Sequence, residues 1–161
     1  MATSAKDRAL RLLGVRSRSR EELRRRLARA GYPDEEIAAA LIDLERVGLV
    51  DDAAFARELA AHRLRRQGHG PRAALSALLK AGVARDVAER AIEEADLGDE
   101  ESRAEEVAQG RAARLAGLPP EIAHRRLLAF LLRRGFDPEA SRAACARALA
   151  PPSGDAITSA E

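Results

Sequence analysis

The fold of this chain is decided by residues 48–83, which read GLVDDAAFARELAAHRLRRQGHGPRAALSALLKAGV. The stretch predicts a helix with an acidic start at Asp51-Asp52, an apolar face and a basic end. A tight turn, Gly68-His69-Gly70-Pro71, follows, and a second helix then runs to Gly82. Its closing pattern of leucine, small or basic residues and glycine also occurs earlier and later in the chain. We therefore interpret the stretch as the middle copy of a repeat.

The repeat is clearest in three short phrases. They are LARAG at 27–31, LLKAG at 78–82 and LLRRG at 131–135, and their final glycines are 51 and 53 residues apart. One apolar residue and then an amphipathic helix follow each glycine. Repeats of this length indicate stacked supersecondary units, none of which buries its apolar face alone. The predicted all-α fold has three tandem three-helix repeats at 5–47, 52–95 and 99–149, with a disordered tail at 150–161.

Start and stop signals divide each repeat into helices. Ser19 and Glu22 form a capping-box pattern, and Asp137-Pro138 combines a cap with a first-turn proline. Gly14 and Gly31 each fit the end of a helix. Between these signals apolar residues recur at helical spacing, which predicts nine helices and no strand.

The composition favours a soluble helical protein. Ala, Leu, Arg and Glu dominate, whereas the chain has three Phe, one Tyr and no Trp, so its cores should be thin. The single cysteine, Cys145, rules out an internal disulfide and argues against a cysteine-based metal site. No apolar run approaches membrane-spanning length, and residues 1–15 lack a signal-peptide core. We expect a cytoplasmic protein.

The charge is nearly balanced in total but unevenly distributed. The chain carries 28 Lys/Arg and 26 Asp/Glu, for a formal net charge of +2. Residues 1–70 hold fifteen basic and eleven acidic side chains, whereas residues 71–117 hold seven and ten. Almost all the cations are Arg, which suits bidentate contacts with phosphate or carboxylate. An Arg-rich proteome would give the same composition, so the location of Arg is the more informative feature.

The sequence contains no constellation of catalytic residues. His62, His69 and His124 lie in different predicted helices or turns, without the spacing of metal ligands. Asp51-Asp52 is best explained as the start of a helix. A phosphate loop GxxxxGK[ST] is absent, and the Gly68-His69-Gly70 segment has no preceding strand. We therefore predict a non-enzymatic protein without a cofactor or a metal.

Two arginine clusters remain as candidates for a binding site. They are either solvated helix faces balanced by acidic neighbours or contacts for an anionic partner, and their concentration in one part of the chain favours binding. Because aromatic residues are sparse, base stacking on single strands is disfavoured, and any nucleic-acid contact would be to phosphates and salt-sensitive. The clusters are Arg24, Arg25, Arg26 and Arg29 on the second helix, and Arg63, Arg65, Arg66 and Arg72 around the Gly-His-Gly-Pro turn.

An ordered set of motifs extends over roughly residues 6–149. The motifs are Arg16…Ser19-x-x-Glu22-Leu23…Leu27…Gly31, then Gly48-Leu49-x-Asp51-Asp52-x-x-Phe55-Ala56, then Arg63…Gly68-x-Gly70-Pro71…Leu78…Gly82-Val83, and in the third repeat Leu131-Leu132-x-x-Gly135-Phe136. This set resembles the RecX family of recombination regulators. The family often has a larger aliphatic residue where this chain has Ala73 or Ala74, which thins the middle core.

The resemblance implies a non-enzymatic modulator of the RecA recombinase in DNA repair, recombination and the SOS response. Family members are elongated, curved arrays of three three-helix repeats that bind the RecA filament on DNA along its groove. They suppress ATP hydrolysis, filament growth and strand exchange. The expected partner is therefore a RecA filament, with single- or double-stranded DNA as a further candidate, no membrane, and a monomeric chain. The alternative is a stand-alone helical nucleic-acid-binding protein that contacts phosphates through Arg.

The residues that we expect to contact the RecA filament or DNA phosphate come from the same basic clusters, together with Arg57, and the middle repeat contributes most. They are Arg24, Arg25, Arg57, Arg63, Arg65, Arg66 and Arg72.

Overall fold

A computed structural model describes residues 3–95 and 98–151, and over those ranges the chain is all-α. Three consecutive sets of three α-helices confirm the predicted fold class. The chain divides into two compact units, Met1–Leu97 with two sets and Gly98–Glu161 with the third. The helices are α1 (Ala5–Val15), α2 (Arg20–Arg29), α3 (Asp34–Arg46), α4 (Asp52–Ala61), α5 (Pro71–Lys80), α6 (Arg85–Glu94), α7 (Glu100–Ala112), α8 (Pro120–Arg133) and α9 (Pro138–Ala148).

Two short helical turns extend the α-helices, and one prediction concerns residues that lie mostly outside the described ranges. A π-helical turn, His62–Arg66, continues α4, and a 3-10 turn, Ala113–Leu115, continues α7. The predicted disordered tail lies outside the described residues, apart from Ala150 and Pro151. The predicted bounds of the three repeats stay a prediction.

Each set of three helices has its own apolar core, built mainly from leucine and alanine. Leu23 and Leu27 are fully buried in the first core, and Leu78 is fully buried in the second among six alanines. Phe136 anchors the third core, where Cys145 is also buried. Burial raises the pKa of the Cys145 thiol. The thin cores follow from the scarcity of aromatic residues.

The predicted helix starts are confirmed by the hydrogen bonds that cap them. The Ser19 hydroxyl accepts from the backbone N–H of Glu22 at 3.0 Å, and the Glu22 carboxylate accepts from the Ser19 N–H, so the capping box is complete. Asp51 accepts from the N–H of Ala54 at 2.9 Å and caps α4. Pro71 occupies the first turn of α5, as predicted.

One predicted helix end is wrong. Gly14 does not terminate α1, which continues to Val15. The helix closes with a side chain in place of a glycine turn, because Nε of Arg18 donates to the carbonyl oxygen of Leu12 at 3.2 Å. Arg18 is 7 % exposed, and burial lowers the pKa of its guanidinium.

The first two sets of helices meet at a hydrogen-bonded junction that the sequence did not reveal. The Ser19 hydroxyl, besides capping α2, donates to the carbonyl oxygen of Ala81 just after α5. The N–H of Arg20 donates to the carboxylate of Asp52 at 2.8 Å, so Asp52 caps α2 from a distance of 32 residues. We call these contacts, with those of Arg25 and Gly82 described below, the junction; it makes the α1–α2 link and α4 neighbours in space.

Candidate functional site

A groove of about 450 Å³ runs between the α1–α2 link and the C-terminal half of α4 with its π-helical turn. Its apolar surface comes from Phe55, Leu59 and Ala61. The remaining lining is polar and mostly basic: Arg16, Ser17, Glu58, His62, Arg65 and Arg66. We call it the α4 groove.

The π-helical turn supplies three of the basic residues in this lining. The N–H of Gln67 donates to the carbonyl oxygen of His62 at 3.1 Å, a span of five residues instead of four. The wider turn keeps Leu64 in the core, 3 % exposed, while His62, Arg65 and Arg66 line the groove. The sequence pattern predicted a plain α-helix here, because hydrophobic periodicity over five residues does not distinguish the two geometries.

The basic side chains of the groove differ in whether they already bind another group of the chain. Arg16 forms an ion pair with Glu22, with 2.8 Å between Nη2 and Oε1, and this hydrogen bond raises the pKa of the Arg16 guanidinium. Arg65 donates to the carbonyl oxygen of Ala95, just after α6, at 2.6 Å. Arg66 is exposed and forms no ion pair within the described part of the chain. Arg66 is therefore the cation of the groove that is available to a partner.

Two of the predicted contact residues, Arg24 and Arg25, form ion pairs with an acidic residue of the first unit. Nε of Arg24 lies 2.7 Å and Nε of Arg25 lies 2.9 Å from the carboxylate of Glu21. Hydrogen bonds from Arg24 and then Arg25 lower the pKa of Glu21 to about 2. Arg25 also donates to the carbonyl oxygen of Lys80 at 3.0 Å and belongs to the junction.

The other predicted residues are dispersed. Arg57 is exposed and, among the described residues, has no ion pair, whereas Arg63 donates to the side chain of Gln67 at 3.0 Å. Arg72 lies beside Leu75, Leu79 and other α5 residues at a separate hollow. Of the seven predicted residues the α4 groove therefore brings together Arg65 and Arg66. As contacts for a partner, all seven stay a prediction.

Seven of the nine residues that line the groove were missing from the predicted set, among them Arg16, Phe55 and His62. Arg16 and Phe55 belong to the family motifs, so a signal for them existed, but neither stands in a run of basic residues. Their proximity depends on the junction, which brings residue 16 beside residue 62 and leaves no periodic trace in the sequence.

Within residues 3–95 and 98–151, no group of three or more His, Cys, Asp or Glu side chains is placed to hold a metal ion. In the same ranges no helix has the length and apolarity that crossing a bilayer requires.

Comparison with known proteins matches all three helix sets to one family. The models for the first, second and third three-helix domains of RecX match residues 5–44, 51–92 and 99–145. The regulatory protein RecX of Amycolatopsis mediterranei (strain U-32) is 39 % identical over 132 residues, covering 82 % of this chain and 75 % of that protein. The chain belongs to the RecX family.

Further relatives and solved structures agree with this assignment. The regulatory protein RecX of Mycolicibacterium smegmatis is 40 % identical over 137 residues, covering 83 % of this chain and 73 % of that protein. The crystal structure of RecX from Lactobacillus salivarius superposes with a TM-score of 0.75 at 19 % identity, over 89 % of this chain and 94 % of that one. At that identity the structure supports the fold, while the sequence relatives support a regulatory role for this RecX-family chain.

Proposed function

We propose that this chain binds a RecA filament on DNA and inhibits its ATP hydrolysis, filament growth and strand exchange, acting as a monomer. The proposal joins the RecX family assignment to the α4 groove. In the first unit this groove combines an apolar surface with an available cation.

The chemistry of the groove suits a protein partner with acidic and apolar groups side by side. Phe55 and Leu59 offer apolar area to an aliphatic side chain, and Arg66 with His62 offers charge and hydrogen-bond donors to a carboxylate. The pairing of Arg16 with Glu22 fixes one side of the groove before a partner arrives. Less conformational entropy is then lost on binding.

The direct test is the ATPase rate of RecA on single-stranded DNA, titrated with the purified chain. We expect inhibition at well below one molecule of the chain per RecA, as action at filament ends or along growing filaments requires. No effect at several-fold excess, with the DNA already saturated by RecA, would contradict the proposal.

A matched pair of charge reversals tests the groove itself. Arg66→Glu should raise the concentration for half-maximal inhibition by about tenfold, because an acidic side chain would repel the partner's carboxylates. Arg90→Glu is the control, since Arg90 is exposed on α6, has no ion pair within the described residues and does not line the groove. DNA affinity is measured in parallel: if inhibition and DNA affinity fall together, the stand-alone nucleic-acid-binding alternative gains support.

A further inference from the structure

A second basic surface lies on the third repeat, which none of the sequence predictions singled out. Its centre is Phe130 on α8, a half-buried ring. Four arginines surround this ring: Arg126 and Arg133 on α8, Arg134 at the end of α8, and Arg111 on α7. We call these five residues the Phe130 surface.

Two of the arginines are positioned by the aromatic ring. The guanidinium carbons of Arg111 and Arg134 each lie over the Phe130 ring, 5.1 Å from its centroid. Cation–π contacts of this kind contribute about 0.5–1 kcal/mol at exposed sites and restrict the guanidinium plane. The ring therefore holds one arginine from α7 and one from the end of α8 on the same small area.

The other two arginines extend the surface along α8. Arg126 precedes Phe130 by four residues and Arg133 follows it by three, which places both on the same side of the helix as the ring. Both are exposed, and seven residues separate them, a rise of about 10 Å along the helix axis. The four charges thus form a stripe of arginines along α8, with Arg111 beside it.

Acidic residues are sparse in the sequence that carries this stripe. Over residues 107–136 the chain has six Arg and a single acidic residue, Glu121, and Asp137 follows directly. Five residues separate Glu121 from Arg126, so it points to another side of the helix. Within the described ranges, none of Arg111, Arg126 and Arg133 forms an ion pair. Like charges this close repel one another, so an anion that bridges them is favoured.

The character of the surface decides between a protein and a nucleic acid as the source of that anion. Protein interfaces enrich Arg and aromatic residues around cores that are otherwise depleted of charge, whereas nucleic-acid interfaces are much more positively charged overall, and four arginines gathered around one ring fit the second kind. Two guanidinium groups already lie over the ring and compete with a base for stacking on it, which favours contacts to phosphate. We propose that the Phe130 surface binds the phosphodiester backbone of nucleic acid, through Arg126 and Arg133 with support from Arg111 and Arg134. This proposal does not depend on binding to RecA.

The test is fluorescence anisotropy with a labelled oligonucleotide, used as a single strand and as a duplex, at about 50 to 200 mM NaCl. The variant Arg126→Gln/Arg133→Gln should bind at least about tenfold more weakly at the low-salt end. The slope of log affinity against log salt should become shallower by about 1.8 on the duplex and about 1.4 on the single strand, for two lost phosphate contacts. The larger loss of affinity, and not the larger change of slope, identifies the form of nucleic acid that the surface prefers.

Two controls make the result specific. Arg142→Gln removes an exposed arginine of α9 in the same unit, which has no ion pair within the described residues, and should leave affinity and slope unchanged. Arg126→Lys/Arg133→Lys keeps the charge and should retain most of the salt slope.

Several results would overturn the proposal. One is that the wild type does not bind the oligonucleotide, or binds it independently of salt. Another is that Arg142→Gln loses as much affinity as Arg126→Gln/Arg133→Gln. A third is that Arg126→Gln/Arg133→Gln keeps its DNA affinity but inhibits RecA less. The last result would assign the surface to a protein partner instead.

Discussion

The arginines of the first unit and those of the Phe130 surface are used in different ways. Arg24 and Arg25 bind Glu21, and Arg25 and Arg65 also donate to carbonyl oxygens that follow or end helices. Arg126 and Arg133 have no such ion pairs within the described ranges. The difference shows that a count of arginines does not locate a binding surface, because some arginines form ion pairs and hydrogen bonds that stabilise the fold.

The cause of the difference lies in the neighbouring sequence. Helix α2 has Glu21 and Glu22 in its first turn; Glu21 pairs with Arg24 and Arg25 one turn away, and Glu22 pairs with Arg16 of the preceding link. Helix α8 has one acidic residue, Glu121, in its first turn, too far along the helix to pair with Arg133. An acidic residue three or four positions away therefore accounts for the ion pairs of Arg24 and Arg25, and α8 has no acidic residue at that spacing from Arg126 or Arg133.

The substitution with the largest predicted effect is Gly82→Ala, which disrupts the junction to which Arg25 belongs. Gly82 has φ +80°, and a Cβ there would overlap Cβ and Cγ of Glu21, the carboxylate partner of Arg25. Gly82→Ala should therefore lower the free energy of unfolding by about 3 kcal/mol, from left-handed strain plus steric overlap. Urea unfolding followed by circular dichroism measures the change.

Gly31→Ala is the matched control for that substitution. Gly31 has φ +86°, nearly the same backbone strain, but a Cβ there meets no heavy atom within 4 Å. It should cost about 1 kcal/mol. Equal losses at the two glycines would show that Glu21 moves aside freely and that the junction is loose in solution.

The all-α fold was predictable from the sequence because its signals are local. Ser19-x-x-Glu22, Asp51 and Pro71 act on backbone atoms within a turn, and the structure confirms all three. The helix end predicted at Gly14 was wrong because α1 is closed by Arg18, whose side chain donates to a carbonyl oxygen six residues earlier. The π-helical turn at His62–Arg66 was missed because periodicity is insensitive to one extra residue per turn.

The candidate sites were less predictable because they depend on distances across the chain. The α4 groove requires residue 16 to lie beside residue 62, and the junction bonds that arrange this span 32 and 62 residues. The Phe130 surface needs Arg111 of α7 to reach a ring on α8. Composition located the basic first part of the chain, but the partners of each arginine became apparent only from the packed helices.

The contribution of the Glu21 ion pairs to stability should depend on pH. Its pKa falls from 4.5 to about 2 because Arg24 and Arg25 donate to the carboxylate. A lowered folded-state pKa contributes stability that is fully present above about pH 4.5 and is lost as pH falls through about 2. Because the group is partly exposed, we expect Glu21→Gln to cost only about 1 kcal/mol at neutral pH.

The difference between wild type and Glu21→Gln should shrink steadily below about pH 4.5, which urea unfolding at several pH values measures. Glu93→Gln, at an exposed position on α6 without an ion pair in the described residues, is the control for the loss of a carboxylate alone. A pH-independent loss at Glu21 would mean that its carboxylate is not held by the two arginines.

The smallest predicted effect is the one that most directly separates the two kinds of arginine. Arg126→Gln should change the free energy of unfolding by no more than about 0.5 kcal/mol, because no ion pair within the described ranges depends on it. Arg25→Gln should cost about 1 kcal/mol, since it removes the bonds to Glu21 and to the Lys80 carbonyl. Urea unfolding of both variants measures this contrast. If Arg126→Gln proved the more destabilising, Arg126 would be a structural brace, and its charge would not be available to a phosphate.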